Sequence, residues 1–316
     1  MTTEFPSQGA ARAQVPAQGA ARAQAPLALV REAVARALAE DVGPLGDLTA
    51  ALLPAGVLSE ASLVPRVEGV LAGRLAAQET FAQVDPSIAV EWLADDGDVL
   101  HPGRPLAHVR GPLPSVLTAE RTALNFLCHL SGVATLTRRY VEAVAGVGHV
   151  RIRDTRKTLP GLRALEKAAV RAGGGVNHRA SLSDGILVKD NHLAGLSIDG
   201  AVAAARRLWP GRSVQVECDT LGQVKEAVVA GADLVLLDNM TPAEVAAAVE
   251  EVASRALVEV SGGITLETVI AFAQAGPDLI SVGALTHSAP SLDIGLDLDR
   301  GLGPSGPSSG MTGPTS

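Results

Sequence analysis

The sequence predicts an α/β chain, a parallel βα barrel carried behind a smaller mixed α/β domain. Three observations point there. From residue 149 onward, apolar runs of strand length alternate with runs of helix length, the rhythm of a parallel sheet. Nearly every strand-like run ends in a polar residue of chemical use, which favours a closed barrel over an open doubly wound sheet, because barrel strand ends converge on one rim. Before residue 130 the rhythm differs, with short β-like runs set between turn clusters.

Residues 1–26 hold a decapeptide twice, PSQGAARAQV and PAQGAARAQA, with almost nothing large to bury, so a disordered tail is expected. A helical pattern opens the first domain through Leu27, Leu29, Val30, Val34 and Leu38. Strand-like SLVPRVEGVLAG, IAVEWLA and PLAHVRG follow, separated by DDGD at 95–98 and HPGRP at 101–105. A long helix is expected from Ser115 through AERTALNFLCHLSG, with a break at Gly132. The barrel strands are then HVRIR (149–153), GILVK (185–189), VQVEC (214–218), DLVLLD (233–238), LVEVS (257–261) and DLISVG (278–283). Helical runs such as LRALEKAAVRA, GAVAAARRLW and LGQVKEAVVAG lie between them. The end from Gly301 has the character of the N-terminal repeat. The expected division is therefore 27–131 for the mixed domain, joined by 290–300, and 132–289 for the barrel, with tails at 1–26 and 301–316.

Charge narrows the ligand. The formal net charge is −8, yet residues 150–192 hold nine Arg and Lys against four acids, a local +5 that leaves −13 on the rest. A cationic island in an anionic chain suits a small ligand with several negative charges, whereas nothing global draws the protein to nucleic acid or to an anionic membrane. No apolar stretch reaches spanning length and the N-terminus lacks a signal-peptide core. Cys128 and Cys218 show no metal or disulfide spacing, so a reducing, cytoplasmic setting is expected.

At the strand ends stand Asp154, Arg156 and Lys157, then Lys189, Glu217 and Asp238, then the glycine turns SGGIT (261–265) and VGALTHS (282–288). A strand-to-helix glycine turn exposes backbone N–H groups with a favourable dipole, and two such turns on the last βα loops are expected to hold a phosphate. Guanidinium groups of Arg156 and Arg179 suit carboxylates and the ammonium groups of Lys157 and Lys189 suit phosphates. Glu217 and Asp238, on adjacent strands, suit a divalent cation or ribose hydroxyls. Arg163, Lys167 and Arg171 recur every four residues and are expected on a solvated helix face. Cys218 is expected to point into packing, as are Cys128 and His129 within the long helix. His149 lies at the wrong strand end for catalysis, and His192 is a weaker candidate.

These segments, DTRKTLPGLR (154–163), GGGVNHR (173–179), LVKDNH (187–192), VECDT (216–220), LLDNM (236–240), SGGI (261–264) and SVGALTHSAPSLDIGLDL (281–298), resemble the quinolinate phosphoribosyltransferase family, also called nicotinate-nucleotide pyrophosphorylase (carboxylating). The resemblance runs from about residue 27 to 299. It implies an incomplete, TIM-like βα barrel of the type II phosphoribosyltransferase kind. It implies an enzyme that turns quinolinate and phosphoribosyl pyrophosphate into nicotinate mononucleotide, pyrophosphate and carbon dioxide with Mg2+, in NAD synthesis. Carried over by motif, quinolinate would be bound by Arg121, Thr155, Arg156, His178, Arg179 and Lys189. Phosphoribosyl pyrophosphate would be bound by Lys157, Glu217, Asp238, Ser261, Gly262, Gly263, Gly283, Ala284 and His287. Catalysis would fall to Lys157, Lys189, Glu217 and Asp238, and the metal to Glu217 and Asp238, directly or indirectly. Arg121 in TAERTALN would reach a neighbouring subunit, so a homodimer with shared sites is implied, further assembly being open.

Three other functions share parts of the pattern. A class I aldolase would use Lys189 as a Schiff base, a nucleotide-sensing protein would bind without releasing carbon dioxide, and a paralogue would take another pyridine or azole acid.

Overall fold

The computed structural model describes residues 24–54 and 56–299. The tail assignments lie outside these residues apart from 24–26, and Ala25 is already buried.

Helix α1 (Leu27–Val42) buries Val30, Ala33 and Val34 and is followed by a 3₁₀ turn at Ala50–Leu52. The run SLVPRVEGVLAG divides into β1 (Leu58–Pro65) and β2 (Gly69–Val70), and α2 (Arg74–Val84) follows. Strands β3 (Ala89–Trp92), β4 (Val99–Leu100) and β5 (Ala107–Pro112) come next. The long helix α3 spans Leu113–Ala143, starting where Pro114 is tolerated because first-turn N–H groups have no helical partner. Gly132 does not break it. The glycine is there for approach, since a Cβ at this position would fall on the Pro290 carbonyl.

β12 (Ile294–Leu298), from the far end of the chain, pairs antiparallel with β1, giving a four-stranded sheet in the order β12-β1-β5-β3. Its inner face packs Leu63, Val109, Phe81, Leu127 and Ile294 into one apolar core. Each such side chain contributes roughly 1.5–3 kcal/mol by leaving water.

The second sheet is entirely parallel. It comprises β6 (Arg151–Arg153), β7 (Ile186–Val188), β8 (Val214–Cys218), β9 (Leu234–Asp238), β10 (Leu257–Ser261) and β11 (Leu279–Ser281). The order is β6-β11-β10-β9-β8-β7, and Val176 adds a one-residue parallel bridge to Arg153 on the outer side of β6. Strand order thus follows an unfinished ring, open between Val176 and β7. Around it lie α4 (Arg163–Ala172), the short α5 (Asp190–Leu193), α6 (Ile198–Leu208), α7 (Leu221–Val229), α8 (Pro242–Val252), α9 (Val269–Gln274) and α10 (Ala284–His287). Thr220 and Thr241 begin α7 and α8 with reciprocal capping boxes, each worth about 1 kcal/mol.

Strand period sorts the side chains. Ile152, Val216, Cys218, Val235, Leu237, Val258, Val260 and Ile280 alternate onto the face packed against the helices. Arg153, Leu187, Gln215, Glu217, Leu236, Asp238, Glu259, Ser261 and Ser281 share the other face, so the inside of the sheet is unusually polar. No helix among the described residues is long and apolar enough to cross a membrane.

Candidate active site

Register brings the first pair together. Leu187 lies beside Gln215, so Lys189, two residues on, stands beside Glu217, and their side chains form an ion pair. The next strand carries Asp238 two residues past Leu236, the partner of Glu217, on the same face. Its carboxylate accepts from Asn239 Nδ2 at 2.8 Å. Asn239 holds a left-handed backbone and donates its own N–H to the Ser261 carbonyl at 3.0 Å, which joins Asp238 to the first glycine turn. Gly262 has φ +102°, and a Cβ there would meet the Asn239 side chain and backbone. Only glycine passes both tests.

The helix N-terminus expected directly after SGGIT is displaced. Thr265 and Thr268 close a side-chain turn, with the Thr265 N–H donating to Thr268 Oγ1 at 3.0 Å, and α9 begins only at Val269. The second turn does open into a helix, α10, immediately after Gly283. Lys157 crosses over Gly283, where a Cβ would sit 3.0 Å from Lys157 Cδ and 3.2 Å from His287 Nε2. Thr286 Oγ1 donates to the Lys157 carbonyl at 2.7 Å and fixes that crossing. Lys157, Gly283, Ala284 and His287 are therefore neighbours.

On the other flank, Arg156 and Arg179 stand on the loops that follow β6 and Val176, near enough for their charges to interact. The Nε of each is buried without a hydrogen-bond partner. Burial first, and then the Arg156 cation, lower the Arg179 pKa. Arg179 Nη1 reaches the Gly185 carbonyl at 3.0 Å, which braces the loop leading into β7. Thr155 accepts the Lys157 N–H at 3.0 Å and shapes the turn between them. His178 sits at the back, its Nδ1 accepting the Arg179 N–H at 2.8 Å and its Nε2 3.7 Å from Glu259. Burial, ahead of the neighbouring charges, brings its pKa down to about 4.

The expectation that Arg163, Lys167 and Arg171 face solvent is corrected here. Lys167 is buried and its Nζ donates to Asp154 Oδ1 at 2.5 Å and to the His178 carbonyl at 3.0 Å. Arg163 donates to Thr158 Oγ1 at 3.0 Å and to the carbonyls of Ala180 and Arg156, and Arg171 binds Asn177 Oδ1. Four-residue spacing identifies a helix face but not what covers it, and here two loops rich in carbonyls lie over the stripe. Asp154 is likewise fully buried beneath the mouth, accepting also from Asn177 Nδ2 at 2.5 Å and the His178 N–H at 2.7 Å. Burial pushes its carboxyl up and the Lys167 ammonium down, and their mutual contact opposes both shifts.

Below the mouth lies a layer the strand-end reading missed. Glu259 Oε2 accepts from Arg153 Nη1 at 2.6 Å and Gln215 Nε2 at 2.7 Å, and its Oε1 from Ser281. Its signal was the alternation in VQVEC, LVEVS and DLIS, where polar residues interrupt otherwise apolar parallel strands at every second position. Glu166 was also missed; it accepts from Leu159 N–H at 3.1 Å and shares a 2.8 Å bond with His129 Nε2, pinning the loop that carries Arg156 to α3.

Arg121 is the one site candidate set apart. It is exposed on α3 between Thr118 and Thr122, whose hydroxyls bond Asp47 and Asp41, and among the described residues no hydrogen bond or ion pair links it to the strand-end group. Cys218 is buried with its thiol pushed up to about 12 by burial, as the strand parity requires. His149 pairs with Asp278 at the opposite end of the sheet, 2.8 Å apart, and His192 Nδ1 accepts the Lys189 N–H at 3.0 Å.

A half-buried pair of arginines, two strand-end carboxylates, two lysines and two glycine turns around one mouth can seat a multiply charged anion beside a phosphorylated group. Comparison with known proteins agrees with that chemistry. Residues 133–297 match the model of the quinolinate phosphoribosyl transferase C-terminal domain, and residues 47–131 that of its N-terminal domain. The nicotinate-nucleotide pyrophosphorylase [carboxylating] of Mycobacterium leprae is 46% identical over 277 residues, covering 85% of this chain and 96% of that protein. A probable enzyme of the same name from Bacillus subtilis is 42% identical, covering 82% of this chain and 90% of its own. The solved nicotinate-nucleotide pyrophosphorylase of Francisella tularensis superposes with a TM-score of 0.83 at 37% identity, covering 87% of this chain and 98% of that one. The chain belongs to the quinolinate phosphoribosyltransferase family.

Proposed function

We propose that this chain converts quinolinate and phosphoribosyl pyrophosphate into nicotinate mononucleotide, pyrophosphate and carbon dioxide, the family's step in de novo NAD synthesis. One observation supports it above the rest. Arg156 and Arg179 are half-buried, each with its Nε buried and unpartnered, two guanidinium groups suited to a molecule that carries two carboxylates.

Each half of the mouth then takes one substrate. Thr155, Arg156, His178 and Arg179 bind the diacid, with Lys189 nearby. Lys157 and Lys189 meet the pyrophosphate, and Glu217 and Asp238 meet the ribose. The Ser261–Gly263 and Gly283–Ala284 turns take the 5′-phosphate, with His287 in support. The pyridine nitrogen bonds to the anomeric carbon as the bond to pyrophosphate breaks. Positive charge developing on the sugar is offset by Glu217 and Asp238, and negative charge on the leaving group by Lys157 and Lys189. The carboxylate next to the cationic nitrogen departs as carbon dioxide, leaving its electron pair on the ring carbon, which takes up a proton.

Mg2+ fits the donor set. Two carboxylates on adjacent strands suit an ion that keeps waters and takes further oxygens from phosphates. Bound between Glu217, Asp238 and the substrate, it would neutralise charge on the leaving pyrophosphate. We also assign a cytoplasmic homodimer in which Arg121 serves the partner's mouth. Support comes from its exposure and from Leu45, Leu48, Leu52 and Leu58, four exposed leucines on the segment that binds the same end of α3. Mixing an Arg121→Ala chain with a Lys189→Ala chain should restore activity in hybrid dimers, and no rescue would exclude shared sites.

An aldolase is less well supported, because a sugar-phosphate carbonyl substrate leaves the Arg156 and Arg179 pair without a use. The decisive assay follows carbon dioxide release from quinolinate, with and without phosphoribosyl pyrophosphate. Release that needs both substrates supports the assignment; binding without release would end it.

A further inference from the structure

The layer beneath the mouth contains a histidine whose ring is flanked on both nitrogens, by the Arg179 N–H on one side and the Glu259 carboxylate on the other. His178 Nδ1 accepts the Arg179 N–H at 2.8 Å. A backbone N–H can only donate, so Nδ1 carries no hydrogen and the neutral ring bears its hydrogen on Nε2. That nitrogen faces Glu259 Oε1 at 3.7 Å, a carboxylate buried on β10 and held by Arg153, Gln215 and Ser281.

We propose that Glu259 is a positioning residue which, together with the Arg179 N–H, locks His178 as the Nε2–H tautomer and presents that N–H to a carboxylate of the diacid. At 3.7 Å the N–H is oriented by Glu259 without being engaged by it, so it remains available to a closer acceptor. The substrate half of this inference rests on the diacid assignment above; the tautomer does not.

A chemical consequence follows for the ring carbon left after decarboxylation. Adding a proton to His178 would place a hydrogen on Nδ1 against the Arg179 N–H, so the ring works as a neutral donor. Protonating the carbon from it would leave an imidazolate, which makes His178 a poor source of that proton. The charged groups facing His178 are Glu259 from β10, Arg153 from β6, Lys167 from α4, and Arg179 and Asp154 from the adjoining loops. The low pKa of the ring agrees with the tautomer lock.

Glu259→Gln tests the lock. Arg153 and Gln215 donate to one carboxyl oxygen, so the amide keeps its carbonyl there and its NH2 turns toward the Nε2–H, donor against donor. Nitrogen NMR of the free enzyme at pH 7 should show His178 Nδ1 bare and Nε2 protonated in the wild type and lose that pattern in Glu259→Gln. Glu259→Asp, which keeps a carboxylate, should retain it. KM for quinolinate should rise about tenfold or more in Glu259→Gln while KM for phosphoribosyl pyrophosphate stays within about twofold. A wild-type spectrum with hydrogen on Nδ1 overturns the proposal, whether or not the variants fold. So does a Glu259→Gln enzyme with the wild-type spectrum, or one that loses both substrates equally. If instead quinolinate proves not to be a substrate, the carbon dioxide assay fails while the spectra stand, and the two failures are told apart.

Discussion

The two halves of the mouth are built by different means. The half after β6 and Val176 is made of side chains, with Arg156, His178 and Arg179 propped from below by Lys167, Arg163 and Asp154. The half after β10 and β11 is made largely of backbone, with Gly262 at φ +102° and Gly263 at +58° and with Asn239, Lys157, Thr286 and His287 close by. Side chains can match a flat diacid group by group but need a buried charge network to stay in place. Backbone turns need no such network, yet they depend on conformations that few residues can adopt. One half is therefore vulnerable to loss of charge balance and the other to the addition of a methyl group.

The sharpest way to break this contrast is Lys167→Met. It leaves Asp154 buried without its cation, which should cost about 3–5 kcal/mol in chemical denaturation, and Asp154→Asn in the same chain should recover most of it. An effect under about 1 kcal/mol would mean the network is not what holds this half.

Acid should act on the same half. Unfolded His178 takes up a proton near pH 6.5 and folded His178 only near 4. Between those values the unfolded state binds more protons, so stability falls as pH drops through the window, by up to about 3 kcal/mol, and the contribution is constant above 6.5. Thermal melts of wild type and His178→Asn should converge in slope above that window and diverge within it.

Arg179→Ala removes a charge-assisted partner and should raise the quinolinate KM about 100-fold with little change for phosphoribosyl pyrophosphate. Equal loss of both would erase the division between halves. Gly262→Ala is the mirror experiment and the smallest effect, about a tenfold rise in the phosphoribosyl pyrophosphate KM with quinolinate spared.

Much of the fold and of the candidate site was readable before any coordinates. The alternation of strand and helix, the polar strand ends and the glycine turns are local features, fixed by period 2, period 3.6 and the steric freedom of glycine. They placed Lys189, Glu217, Asp238 and Gly283 on strand ends. Register then set Lys189 beside Glu217, a contact that no residue count predicts.

What the linear order could not decide was what lies over a helix face and what lies between strands. Arg163, Lys167 and Arg171 have a solvated pattern, and only the path of the loops at 154–159 and 177–180 turned them inward. Gly132 looks like a helix break until the carbonyl of Pro290, far along the chain, arrives beside it. Glu259 looks like an ordinary strand acid until Arg153, Gln215 and Ser281 converge on it from three other strands. The sequence by itself determined the elements and their polar ends, because those depend on neighbours within a few residues. The partners of the buried charges were decided by the tertiary structure alone, because desolvation and pairing depend on groups brought together from separate elements, 13 positions apart for Lys167 and Asp154 and 106 for Arg153 and Glu259.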